Sequence, residues 1–461
     1  MDENQAAQSK REFDIVVVGA TGFAGRLVAR YLAGRKEPDS SSGSRNSLRL
    51  AVAGRNMQKL TELAESIRTQ YRVELTMVPV NLVDTNSVGE LAKRTRAVLT
   101  TAGPYNMYGS LLVAACAKSG THYVDLTGEV PWVRQMIVEH GSAAKESGAC
   151  IVHCAGFDSI PSDIGTLVLR ETMNEAGYGE PESVRMVMGK ANGGFSGGTV
   201  ASMLSVLEQA RKNPEVREAL SDPDSLVVEQ GDDGAHDDQR GPDADGDHGG
   251  QRAESHQGRD SGTSGEPSNR KSTTQKRPGN LPHFDRLLGG WTVPFFMGAV
   301  NSRVVRRSNA LAGYPLGSDP DYRECIAFGK GFGAWARAML AAAAGGLFVA
   351  AVVFAPTRWL LKRFVLPKPG QGPKAAVRGE GYFELTLRGY RESQERARVR
   401  VSSDRDPGYG ATAIMIAESA CLLVRGTPPA GVHTPAHALG PELAEALTAS
   451  GVRVEKVPAR P

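Results

Sequence analysis

Gly19, Gly22 and Gly25 are spaced three apart where the apolar run "FDIVVV" gives way to the helical pattern "FAGRLVARYL". Glycines at such a junction serve phosphate chemistry. The first permits a tight turn, the second lets backbone approach a pyrophosphate, and the third lets the helix pack closely on the strand. The helix start then offers free N–H groups and a positive dipole end to the phosphates. Thr21 adds a hydroxyl, and Phe23 lies within the same motif. The spacing is G-x-x-G-x-x-G, which gains its meaning from the strand before it and the helix after it. The second apolar run ends in "LAVAGRN" (50–56), where an NAD site usually has Asp or Glu for the ribose 2′-hydroxyl. Arg55 stands there instead, followed by Asn56, with Lys59 one turn on. A guanidinium attracts a 2′-phosphate and stacks on a purine, so the cofactor reading is NADP.

Catalytic groups are expected at the carboxyl ends of later strands, where ligands bind in sheets of this kind. "TTAGPYNMYG" (100–109) supplies Gly103 and Pro104 to shape a tight loop at the nicotinamide ribose, and Tyr105 and Tyr108 to reach the cleft. "YVDLTGE" (123–129) supplies Asp125, Thr127 and Glu129, and "GFDSIPSD" (156–163) supplies Asp158 and Ser159. Tyr105, Tyr108 and Asp158 are the candidate catalytic residues. Asp125 and Glu129 read equally well as acceptors for loop N–H groups, His153 as a core residue, and Ser162 or Asp163 as the cap of the following helix. Cys150 and Cys154 in one extended run would share a face about 13 Å apart, too far for one metal ion, so no metal site is assigned. Gly109 and Leu112 stand four residues after Tyr105 and Tyr108. The Tyr-x-x-x-Lys proton relay is therefore absent.

These groups require a scaffold. From Phe13 to about Ala155, the runs FDIVVV, LRLAVA, VELTMVPV, AVLTTA, THYVDL and CIVHCA alternate with helical patterns near 23–34, 57–69, 86–94, 109–119 and 131–147. Apolar strands separated by helices predict an α/β fold, a doubly wound parallel Rossmann sheet covered on both faces. It is assigned to residues 13–160, after a disordered tail at 1–12. A second α/β domain is assigned to 161–212 and 281–335, with a strand at 183–190 and a helix at 199–211. Residues 213–280 are acidic at first, basic at the end and poor in large apolar side chains, which predicts a disordered insertion. Residues 367–461 are assigned to the rest of the second domain, with strands near 377–389 and 394–403 and a helix near 411–424.

Within the apolar segment assigned to 336–366, "AMLAAAAGGLFVAAVVFAPT" (338–357) carries no charge; Arg337 precedes it, and Arg358, Lys362 and Arg363 follow. At about 1.5 Å per residue it is long enough to cross a bilayer, but Ala and Gly make up half of it. A membrane-attached hairpin leads, with a buried domain helix and a single span as alternatives. A net charge of +3 on 461 residues, without a basic patch, excludes a nucleic-acid binder. Five scattered cysteines fit a reducing compartment, and the polar N-terminus has no leader pattern. A cytoplasmic protein associated with the plasma membrane is expected.

"GATGFAG", "TTAGPYNMYGSLLVAACAKSGTHYVDLTGE" and "GFDSIPSD" together resemble the saccharopine dehydrogenase-like oxidoreductases. More narrowly, the chain looks like the trans-acting enoyl reductase branch of actinobacterial lipid synthesis. "GGFSGGTVASML" (193–204), "VVRRSNAL" (304–311) and "DPGYGATAIMIAE" (406–418) extend the match. The resemblance implies an NADP-binding Rossmann domain, a second α/β domain, and peripheral membrane contact. It also implies reduction of an unsaturated lipid or acyl-thioester chain carried by a polyketide synthase, in glycolipid formation. In that chemistry, backbone N–H groups near Gly103 or the Tyr105 hydroxyl would meet charge on the thioester oxygen. Tyr105, Tyr108 or water would protonate the α-carbon. Two other readings stay open: a family member acting on another substrate, and a lipid-associated protein that binds the cofactor with little catalysis.

Overall fold

β1 (Phe13–Val18) is buried at every position. Ile15 and Val17 enter one apolar core while Val16 and Val18 enter another, as a strand buried on both faces requires. The structure, a computed structural model, describes residues 10–35, 48–192, 197–228, 282–354, 356–357 and 381–459. After β1 come α1 (Phe23–Gly34), β2 (Leu50–Gly54), α2 (Met57–Tyr71), β3 (Thr76–Pro79), α3 (Thr85–Arg94) and β4 (Thr95–Thr100). A short turn of helix, α4 (Tyr105–Tyr108), precedes α5 (Ser110–Ser119), β5 (His122–Asp125), α6 (Val130–Ser147), β6 (Cys150–Val152) and α7 (Ile160–Glu175). The seven strands of this first sheet run in the order β13-β6-β5-β4-β1-β2-β3, with β13 at Gly431–His433. Every pairing is parallel, so this is the expected Rossmann sheet.

The chain continues through β7 (Ser183–Asn192), α8 (Gly197–Lys212), α9 (Pro214–Ser221), β8 (His283–Asp285), β9 (Gly290–Pro294), α10 (Gly298–Leu311), β10 (Asp321–Gly329) and α11 (Phe332–Val353). It then forms β11 (Tyr382–Arg391), β12 (Gln394–Ser403), a π-helical turn (Pro407–Ala411), α12 (Thr412–Arg425), α13 (Pro435–Ala449) and β14 (Val452–Val457). The second sheet has the order β14-β12-β11-β7-β10-β9-β8. Its β7–β10 pair is parallel and its other pairs are antiparallel. One apolar core joins the two sheets, with Val17 and Val152 from the first, Leu387 and Val399 from the second, and Leu169 and Ile414 from α7 and α12.

Four expectations change. Residues 367–461 do not all serve the second domain, because β13 pairs with β6 and α12 packs against the first sheet. A three-residue strand is too short to show a period. Residues 213–228 are ordered rather than part of a disordered insertion. The Arg303 side chain donates to Asp222 O at 3.0 Å, Arg306 pairs with Asp224 at 2.8 Å, and Arg307 donates to Leu226 O at 2.6 Å. Polar composition concealed this because the ordering partners lie about eighty residues away; residues 229–280 lie outside the described residues. The tail is held from Lys10, since Arg11 donates to Thr95 O at 2.6 Å and Thr121 Oγ1 at 2.5 Å. Cys150 and Cys154 do not share a face: the strand ends at Val152, Cys154 takes a φ of 64°, and the two enter different cores.

Asp163 does not cap its own helix. Its carboxylate accepts from Ala436 N at 2.8 Å, at the start of α13, and from the Ser308 hydroxyl of α10. Burial pushes its pKa up to about 7. The folded value lies above an unfolded value of about 3.9, so the folded chain holds this proton more tightly. The resulting stability is full below about pH 4 and is lost as pH rises through 7. Asp163→Asn keeps an acceptor for the Ala436 N–H without ionising. Its Tm relative to wild type is expected to be about 2–4 °C higher at pH 8 than at pH 5, measured by thermal denaturation.

Candidate active site

The glycine loop is built as a phosphate cradle. Gly19 takes a φ of 78°, and its N–H donates to Ala53 O at 3.1 Å, tying the turn to β2. A Cβ on Gly25 would stand 2.3 Å from Gly19 O, so any side chain there would push the turn out of place. Gly22 is the extended residue before α1; among the described residues no side chain caps this helix, and no acidic residue lies in its first turn. The positive end of its dipole therefore faces an anion with no carboxylate of its own to oppose it. Thr21 and Phe23 are half-buried on this loop. Arg55 is exposed just beyond the end of β2, whereas Asn56 caps α2 by accepting from Lys59 N at 2.9 Å. A bare helix start with an exposed guanidinium after the neighbouring strand fits the pyrophosphate and 2′-phosphate of NADP.

The loop after β4 hangs on one carboxylate. Glu129 accepts from Tyr105 N at 2.9 Å, Asn106 N at 3.0 Å and Ser202 Oγ at 2.6 Å. Burial pushes its pKa up, and the three donors pull against that. Ser202 lies on α8, so the same group joins the first sheet to the second domain. Gly103 is exposed, and a cis peptide links it to Pro104. Tyr105 does not face the cleft: it is buried and stacked on Trp132, 5.6 Å between centroids. Its hydroxyl donates to Thr100 O at 3.3 Å and accepts from Leu126 N at 3.2 Å. Burial and the nearby Asp125 push its pKa well up. Tyr108, at the end of α4, is only half-buried.

Asp125 is fully buried. It accepts from Thr127 N at 3.1 Å, Cys154 N at 3.2 Å and the Tyr123 hydroxyl at 3.1 Å, and it meets His153 Nδ1 at 2.7 Å. The loops after β5 and β6 are therefore set by one side chain. His153 is a core residue with its Nε2 unpaired among the described residues. Asp158 differs from both acids. It retains some exposed surface, no partner holds its carboxylate among the described residues, and burial pushes its pKa up to about 6. Such a carboxyl is partly protonated near neutral pH and suits proton donation.

Sequence reasoning missed the contribution of the π-helical turn. Tyr409 packs edge-on against Phe23 of the glycine loop, with centroids 4.5 Å apart. Thr412 Oγ1 accepts from Phe157 N at 3.2 Å, beside Asp158, and donates to Pro407 O at 2.8 Å. Phe157 in turn meets Phe383 of β11 at 4.6 Å. "DPGYGATAIMIAE" was legible as a motif, but nothing in its composition says that it lies against two loops some 250 to 390 residues earlier.

Residues 15–152 match the saccharopine dehydrogenase NADP-binding domain. A Mycobacterium tuberculosis protein named as a trans-acting enoyl reductase is 36% identical over 456 residues, covering 96% of this chain and 97% of its own length. The trans-acting enoyl reductase of Mycobacterium ulcerans is 32% identical over 458 residues, covering 97% and 98%. Among solved structures, saccharopine dehydrogenase (L-Glu forming) of Saccharomyces cerevisiae aligns over 97% of this chain and 100% of its own, with a TM-score of 0.48 and 9% identity.

Two substitutions separate cofactor contacts from scaffold. Arg55→Ala is expected to weaken NADPH binding about 10- to 100-fold, the scale of a lost charge-assisted contact, and to leave NADH binding nearly unchanged in a fluorescence titration. Tyr105→Phe removes the acceptor of the Leu126 N–H. It is expected to cost about 1–3 kcal/mol of stability in denaturant titration while leaving the pH profile of turnover in place.

Proposed function

The chain belongs to the trans-acting enoyl reductase family, built on the saccharopine dehydrogenase NADP-binding domain, and we propose that it reduces the carbon–carbon double bond of an enoyl thioester. It is an NADP-dependent oxidoreductase. The substrate in this reading is a polyketide or fatty-acyl chain carried by a polyketide synthase, on the way to a glycolipid. The observation that carries the reading is the 32% identity to the trans-acting enoyl reductase of Mycobacterium ulcerans across nearly the whole of both chains.

When bound, NADPH supplies the hydride that reduces the β-carbon. The chain's residues do the rest. The open start of α1 holds the pyrophosphate, and Arg55 holds the 2′-phosphate. Donors in the loop after β4 meet the negative charge that develops on the thioester oxygen. The α-carbon then takes a proton, and Asp158 is the group whose environment suits that task. Among the described residues, its carboxyl is the one acid of the three loops that neighbouring donors do not hold. Tyr108, at the half-exposed end of α4, is the second candidate donor. The buried, doubly bonded Tyr105 hydroxyl supports a role in holding the loop instead.

The reaction is tested by following NADPH oxidation with enoyl thioesters of increasing chain length. One cofactor oxidised per double bond lost is the expected result. Tight NADPH binding without oxidation by any enoyl thioester would instead make this a cofactor-binding protein. Because the acid must be protonated to act, kcat is expected to fall as pH rises above about 6. Asp158→Asn should lower kcat about 10²-fold or more and remove that limb of the pH profile; an unchanged limb would move the role to Tyr108.

A further inference from the structure

We propose that α11 is a membrane anchor that enters one leaflet of an anionic bilayer and returns to the same side without crossing. This inference does not rest on the reductase reading. Near its start, Ala334 and Ala338 are buried, and the helix contacts β9 and β10. From Ala343 to Ala350 every residue is exposed. Leu347, Phe348 and Val349 are 72%, 45% and 58% exposed. Three consecutive helical residues point about 100° apart, so apolar surface faces outward on more than one side. A helix that is apolar all round belongs in a protein interior or in lipid. Here the described residues do not supply the interior. The buried-helix reading is therefore set aside beyond residue 342.

The sheet order decides between anchor and span. β10 and β11 are the two neighbours of β7, so the segment that contains α11 leaves and rejoins one sheet. A crossing by α11 would demand a second crossing on the way back. The sequence from 354 to 381 holds Arg358, Lys362, Arg363, Lys368, Lys374 and Arg378, and none of its uncharged runs exceeds five residues. A second span needs about 20 apolar residues. The uncharged helical stretch 338–353 is about 24 Å long, more than one leaflet's hydrocarbon of about 15 Å, which fits oblique entry.

Charge selects the occupant. From Phe332 to Gly379 the chain has seven basic residues and no acidic one. A second copy of this chain would bring like charge against like charge. An anionic lipid surface brings the opposite sign, and basic residues beside an apolar insertion are attracted to it.

Full-length protein is floated with vesicles of phosphatidylcholine alone or of phosphatidylcholine with 30% phosphatidylglycerol (~7:3). The expected result is flotation with the anionic vesicles that survives a carbonate wash. Leu347→Glu with Phe348→Glu should reduce flotation at least tenfold, with NADPH affinity unchanged as the check on folding. The five native cysteines are buried, so Gly370→Cys gives a specific label. An impermeant maleimide should react with it before detergent is added. Equal flotation of the double variant would overturn the proposal. So would labelling only after detergent, which would mean a span. Failure to float, together with a sedimenting dimer that the double variant dissociates, would assign the face to a second copy.

Discussion

A carboxylate wholly removed from water must be matched, and Glu418 is matched by Arg35 at 2.7 and 2.9 Å and by the Tyr31 hydroxyl at 2.5 Å. Glu418 lies on α12 and its partners lie on and just after α1, nearly four hundred residues earlier. Removing one partner of such a buried pair typically costs about 3–5 kcal/mol. The pair holds the C-terminal helix against the first helix of the Rossmann sheet. The π-helical turn just before α12 then has one place to go, beside the glycine loop, with Tyr409 on Phe23 and Thr412 on Phe157. The cofactor loop and the Asp158 loop are thus both braced from the segment that follows β12 of the second sheet.

Around that brace, the acids divide by surroundings rather than by type. Asp125 and Glu129 are saturated with donors and set the positions of loops. Asp163 ties α7 to α13 and α10. Asp158, on the same stretch of chain as Asp163, is left without a partner among the described residues. Three structural carboxylates spend their lone pairs on geometry, and the fourth is available for proton transfer.

The alternation of strand and helix was legible because each strand of a buried parallel sheet is apolar on both faces, and each helix between is long enough to show its period. The glycine loop and Arg55 were legible for the same local reason: their chemistry depends on near neighbours. What stayed hidden depends on distant ones. Tyr105 reads as a catalytic phenol until Trp132 covers its ring and the Leu126 N–H binds its hydroxyl. Asp163 reads as a local cap until Ala436 arrives. Residues 213–228 read as insertion until three arginines of α10 supply their hydrogen bonds.

The pairing of β13 with β6 joins Gly431–His433 to Cys150–Val152. A ribosome makes the first six strands of that sheet early and the seventh only after β12 and α12, on the order of tens of seconds later at about 5–20 residues per second. Through that interval β6 is an open strand edge, the kind of surface that recruits wrong partners. Its rightful partner arrives on the stretch that also carries the Ala436 N–H for Asp163. Closure of the nucleotide-binding sheet therefore waits on that stretch, and a chain released before it would expose its defect along that edge.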